Sequence, residues 1–77
     1  MLNIERKVIE VFSKVMSVEA ESVNPDSSPD TIGQWDSRKH MSLVLALEQE
    51  FGTQFTDEEI VEMLNVGLII LILKEKL

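Results

Sequence analysis

Three side chains with the chemistry of a hydrolytic centre lie close together in the chain: Asp36, Ser37 and His40. A serine nucleophile needs a base to take its proton and an acid to orient that base. Ser37 and His40 meet at i, i+3 on a helix. Asp36, however, adjoins the serine and is badly placed to orient the imidazole. A bundle this small offers no evident pocket or oxyanion hole, so catalysis by this set is not expected. His40 then reads as a solvated or interface histidine.

Two acidic groupings invite a metal reading and fail it. In the stretch from Asp26 to Ser37, Asp26, Ser28 and Asp30 alternate as calcium ligands do. Thr31 stands where such a loop requires glycine, and Ser37 where it requires a bidentate glutamate. Glu58 and Glu62 form an i, i+4 carboxylate pair, but metal sites converge more ligands than two. A solvated acidic face is the better reading, and no metal site is expected.

Asp36-Ser37 then remains, at the mouth of an apolar helical pattern. Either residue is a good N-cap, and capping alone accounts for such a pair. A second use exists. A helix N-terminus has free N–H groups and a partial positive charge, which favour a phosphodiester attached there. Arg38 and Lys39 add to that local field.

The elements that position these residues follow from periodicity. Ile4, Val8, Val11, Phe12 and Val15 recur at helical spacing over residues 4–16, with Asn3 as cap. Residues 17–36 form a long irregular segment with both prolines. A connection of about 20 residues is unusual in a compact domain and tends to be functional. Val18, Val23, Ile32 and Trp35 are expected to pin it to the core, with a short turn near Ala20 to Val23. The second helix spans 37–51. Met41, Val44, Leu47 and Phe51 mark its apolar face, widened by Leu43 and Leu45, and Gly52 ends it. A third, short helix spans 57–64, opened by a capping box of Thr56 and Glu59, with Phe55 and Ile60 at the staple positions. The run Leu68 to Leu73 is read as a final helix capped by Asn65, because a lone strand has no partner here. An all-α bundle with a long first loop and a short third helix is expected.

Composition bounds the rest. The chain has 77 residues, so a single domain over 1–77 is expected. A domain of this size buries only about 60% of its unfolded surface. With no cysteine, disulfides and thiolate metal sites are excluded. The net charge of −7 argues against nucleic acid and against anionic membranes. It favours steering toward basic partner surfaces. No apolar run approaches the ~20 residues of a membrane span, and nothing resembles a signal peptide. A soluble cytoplasmic protein, monomeric, is expected.

Taken together, Trp35 to Leu64, "WDSRKHMSLVLALEQEFGTQFTDEEIVEML", resembles the acyl carrier proteins. These are small four-helix domains that carry acyl groups as thioesters on 4′-phosphopantetheine. The likeness rests on Asp36-Ser37, on Leu47-Glu48-Gln49-Glu50-Phe51, and on Asp57-Glu58-Glu59. The first helix, the loop with Ile32-Gly33 and the last helix fit as well. The resemblance implies a four-helix acyl-carrier-like bundle that is not itself an enzyme. Ser37 would be the attachment serine, and Asp36 the acid that a phosphopantetheinyl transferase reads beside it. The thiol that bears the cargo would belong to the prosthetic group. Acyl-transferring or acyl-processing enzymes would be the other partners.

Two departures set this chain apart. Such carriers usually have leucine after the serine, an apolar contact for partner enzymes, and here Arg38 stands there. Arg38, Lys39 and His40 also make basic a helix start that is often acidic. Rim charges chiefly set selectivity and on-rate, so the resemblance implies a specialised carrier for a lipid, polyketide or related pathway. Docking would then involve Arg38, Lys39, Met41, Glu48, Asp57, Glu58, Glu59 and Glu62. Second, Leu68 to Leu73 is apolar on every side, so part of it must face outward: as a patch of Leu68 and Leu71 for a partner or for self-association, as a loosened bundle that admits an acyl chain, or as tolerated exposure. An unmodified carrier-like interaction module is the alternative that Arg38 leaves open.

Overall fold

The structure, a computed structural model, describes residues 3–77. Helix α1 spans Ile4–Met16, α2 Ser37–Phe51, α3 Asp57–Glu62 and α4 Val66–Lys76, with one 3-10 turn at Ala20–Ser22. No strand occurs among the described residues. Each helix begins where a short polar side chain can accept from the first turn, whose amides have no intrahelical partner. Asn3 accepts from Arg6, Asp36 from Lys39, Thr56 from Glu59 and Asn65 from Leu68. Thr56 and Glu59 close the reciprocal capping box that their spacing announces.

The ends are equally defined. Gly52 takes the left-handed conformation, φ 62°, that lets its own amide and that of Thr53 return to the Glu48 carbonyl. Ser17 does the same after α1 with φ 58°, and Val18 bonds back to Ser13. The third helix stops at Glu62 and not at residue 64. Met63 leaves helical geometry (φ −78°, ψ 69°) and buries its side chain in the core. Leu64 then bonds back to Glu62 in an inverse γ-turn.

Helix α1 is the centre of the packing and lies against both α2 and α4. Val8, Phe12, Met16, Leu43, Leu47, Val66, Ile69 and Leu73 are fully buried. Burying each such side chain contributes about 1.5–3 kcal/mol. On α2 the buried set is Leu43, Val44 and Leu47. Met41 and Leu45, expected on that face, are about half exposed at 48% and 57%. The two are i, i+4 neighbours on one face, turned away from the buried stripe, which a 15-residue helix meeting one main neighbour keeps narrow. The apolar run of α4 resolves likewise. Ile69, Ile70 and Leu73 are buried, Leu68 and Ile72 are half-buried, and Leu71 alone of the six faces outward.

The long loop is held at both levels, apolar and polar. Val23, Ile32 and Trp35 are buried, and Val18 packs against the core. Trp35 meets Phe12 edge to face, with centroids 5.1 Å apart. Such a pair is worth about 0.5–1.5 kcal/mol beyond its buried area. The loop also satisfies the start of α4. The Val66 amide donates to the Ser27 carbonyl at 3.0 Å and the Gly67 amide to that of Pro25 at 2.9 Å. A Cβ on Gly67 would lie 3.1 Å from that Pro25 oxygen, so glycine permits this approach.

Candidate functional site

Ser37 is the first residue of α2, and Asp36 is its cap. The Asp36 carboxylate accepts from the Lys39 amide at 2.9 Å, and its carbonyl accepts from the His40 amide at 2.8 Å. Among the described residues the Ser37 hydroxyl has no hydrogen-bond partner, and it is exposed at the surface. The contrast with α4 is informative. There, loop carbonyls and Asn65 take up the amides of Val66, Gly67 and Leu68. On α2, no acceptor among the described residues pairs with the amides of Ser37 and Arg38. The start of α2 therefore keeps the donor groups and partial positive charge that suit an anion next to Ser37.

A groove of about 510 Å³ opens at this serine, between the start of α2 and α3. Pro29, Trp35, Met41, Ile60, Val61, Met63 and Leu64 line it with apolar surface, and Asp36, Ser37 and His40 add the polar edge. The exposure of Met41, Val61 and Leu64 is concentrated here.

His40 is not paired with the serine, as expected, and it is not simply solvated, one of the two roles its position allowed. It is half-buried, and both ring nitrogens are engaged elsewhere. Trp35 Nε1–H donates to Nδ1 at 2.9 Å, and Nε2 lies 2.9 Å from the Ile60 carbonyl near the end of α3. The rings of Trp35 and His40 are stacked at 5.9 Å. A triad has no base here. The general property that points to this bond is that a buried indole N–H needs an acceptor. His40 supplies one five residues on.

The residues expected to dock partners divide into two groups. Lys39 Nζ donates to the Val15 carbonyl at the end of α1, at 3.1 Å. Glu48 accepts from the Phe55 amide at 2.9 Å and pins the turn between α2 and α3. Glu59 closes the capping box and pairs with Lys76 at 3.0 Å. Its carboxyl lies below the ordinary value because it accepts the Thr56 backbone N–H, with the Lys76 contact second. Arg38, Met41, Asp57, Glu58 and Glu62, by contrast, are exposed around the groove and on α3. Asp26 and Asp30 lie in local turns with Asn24 and Ser28. Among the described residues no three acidic, histidine or cysteine side chains converge as metal ligands. No helix there is long and apolar enough to cross a membrane.

Comparison with known proteins agrees with this geometry. The family described as "Phosphopantetheine attachment site" matches residues 6–71. The chain is similar to an acyl carrier protein of Nitratidesulfovibrio vulgaris, 30% identical over 76 residues, covering 97% of this chain and 99% of that one. It is 36% identical over 59 residues to one of Solidesulfovibrio magneticus, covering 75% and 74%. The chain belongs to the acyl carrier protein family, whose members are carriers, not enzymes, and hold a covalent 4′-phosphopantetheine prosthetic group.

Proposed function

We propose that Ser37 is the attachment point of the phosphopantetheine and that the chain carries acyl intermediates of a specialised lipid, polyketide or related pathway. One observation carries the first part: Asp36, and not Ser37, caps α2. A serine needed by the fold would be a poor residue to esterify. Ser37 is free of such duty, exposed, and set where a phosphate meets unpaired amides and the Arg38 charge. When bound, the prosthetic group supplies the thiol that this cysteine-free chain lacks. The apolar groove beside Ser37 offers a surface against which an arm or its cargo can rest.

Selectivity is the contribution of the residues around it. Arg38 and Met41 on α2, with Asp57, Glu58 and Glu62 on α3, form an exposed rim of mixed charge. Lys39, Glu48 and Glu59 contribute field from positions already fixed by intramolecular bonds. Arg38 replaces an apolar contact by a cation, and this supports a partner set distinct from that of a general fatty-acid carrier. The reading keeps the cytoplasmic, monomeric, single-domain carrier expected from the sequence. Intact-mass measurement after incubation with coenzyme A, Mg²⁺ and a broad-specificity phosphopantetheinyl transferase tests the attachment. One added phosphopantetheine that disappears in Ser37→Ala is expected, and addition that persists in that variant refutes it.

A further inference from the structure

His40 joins three parts of the molecule that meet at the serine. It sits in the first turn of α2, its Nδ1 receives the indole of Trp35, and its Nε2 reaches the Ile60 carbonyl of α3. The partners dictate its state. An indole N–H only donates and a carbonyl only accepts. Both contacts at 2.9 Å therefore require the neutral ring with its proton on Nε2. A second proton has only Nδ1 to bind. Imidazolium donates from both nitrogens, so the bond to Ile60 survives protonation, whereas Nδ1–H is set against the indole N–H.

Trp35 is 3% exposed and immediately precedes Asp36-Ser37. Its N–H has no other partner among the described residues, so losing Nδ1 as acceptor leaves a buried donor unpaired. We infer that His40 is a positioning residue for Ser37: its neutral ring locks Trp35 to α3, and protonation at Nδ1 releases the indole while keeping the hold on α3. The functional consequence rests on the reading of Ser37 as the attachment serine. The lock itself rests on geometry alone.

The neighbourhood contains little else that titrates. Asp36 is the one other titratable group lining the groove, and its carboxylate accepts from the Lys39 amide. On α2, Arg38 is exposed and the Lys39 ammonium is turned to α1. On α3, Glu59 is paired with Lys76, and Asp57, Glu58 and Glu62 are exposed. From α1, Lys14 is exposed as well. His40 takes part in none of the ion pairs among the described residues.

The chain has one tryptophan and one histidine, so both partners of the lock can be followed by NMR without assignment ambiguity. The wild type is compared with His40→Gln, whose amide can accept from the indole and donate to Ile60 without titrating, and with His40→Ala. As the pH is lowered stepwise from neutral and protonation of the ring is followed on its own signals, the wild-type indole N–H signal should move in step with the imidazole. It should lose protection from exchange as it does so. The signal of His40→Gln should stay flat over the same range, and that of His40→Ala should be unprotected throughout. At neutral pH, His40→Ala should be loaded by the transferase about tenfold more slowly, the order of effect of one buried hydrogen bond, and His40→Gln at nearly the wild-type rate. An Nδ1–H tautomer at neutral pH, or an indole signal indifferent to the imidazole titration, overturns the lock. Equal loading of His40→Ala and wild type overturns the positioning role. Loading that persists in Ser37→Ala would instead fail the attachment reading and leave the NMR result intact.

Discussion

Asp36 and Ser37 are neighbours of similar capping ability, and the structure gives them separate duties that mutation can separate. Removing the Asp36 side chain takes the acceptor from the Lys39 amide, now 2.9 Å away. Loss of an N-cap of this kind costs about 1 kcal/mol, and loss of the negative charge at the helix start adds about 0.3 kcal/mol at an exposed site. In a domain of this size each kcal/mol moves the melting temperature by about 4–8 °C. Asp36→Ala should therefore melt about 5–10 °C lower. Asp36→Asn keeps the acceptor oxygen and loses only the charge term, so about 1–2 °C is expected. Ser37→Ala removes a hydroxyl with no structural partner and should stay within about 0.5 kcal/mol of the wild type. Thermal melts followed by circular dichroism, run beside intact-mass loading, read both properties. Ser37→Ala should be stable and unloadable, and Asp36→Asn stable with slower loading if the transferase reads the acid. A Ser37→Ala variant that melts below Asp36→Ala would refute the reasoning, because the serine would then be the cap.

Arg38→Leu should raise processing by a general fatty-acid synthase set several-fold, mainly through association rate and with reduced salt dependence; equal processing of both forms in an acyl-transfer assay would remove the case for a separate partner set. Gly52→Ala forces a side chain into φ 62° at the end of α2 and should cost about 1 kcal/mol, read as a lower urea midpoint with unchanged slope. The Thr56 N–H bond and then Lys76 hold the Glu59 carboxyl below its ordinary 4.5. Its contribution is therefore complete above that value and is lost as pH falls through the lower folded value. Glu59→Gln should be less stable than wild type at about pH 7, and the gap should narrow by about pH 3 in paired urea titrations.

The helices and their starts were legible because the information is local. Asn3, Thr56 and Asn65 all cap as their types and positions indicate. The end of α3 was not, since its last turn is cut short where Met63 turns into the core. The orientation of α2 was legible only in part. Apolar residues lie on more than one of its faces, and the partner helix decides that Leu43 is buried while Met41 lines a groove. At the site, Ser37 and Asp36 could be singled out from spacing, but which of the two caps could not. His40 escaped entirely, because its role is a bond to a carbonyl twenty residues away in sequence. The same holds for Glu48 and for Lys76, whose tasks are set by where the α2–α3 turn and the last turn of α4 come to lie.

The two helix starts nearest the loop show how a carrier can hold a serine ready without strain. At α4 the loop itself closes over the amides, through Ser27 and Pro25, and this end is sealed. At α2 the cap comes one residue early, at Asp36, so the first helical position needs no particular side chain and its amides stay available. The charge pattern follows the same division. The chain as a whole carries −7, which suits diffusion toward basic partners. The residues after the serine are cationic, which suits a phosphate at that one point. Under the proposed attachment these two fields act at different stages. Arg38 and the free amides of the helix start would stabilise the phosphodiester once formed, while the exposed acids of α3, Asp57, Glu58 and Glu62, remain to meet a partner. Arg38 stands at the boundary between them, so a partner suited to this carrier must tolerate a guanidinium beside the serine and find its basic contacts on α3.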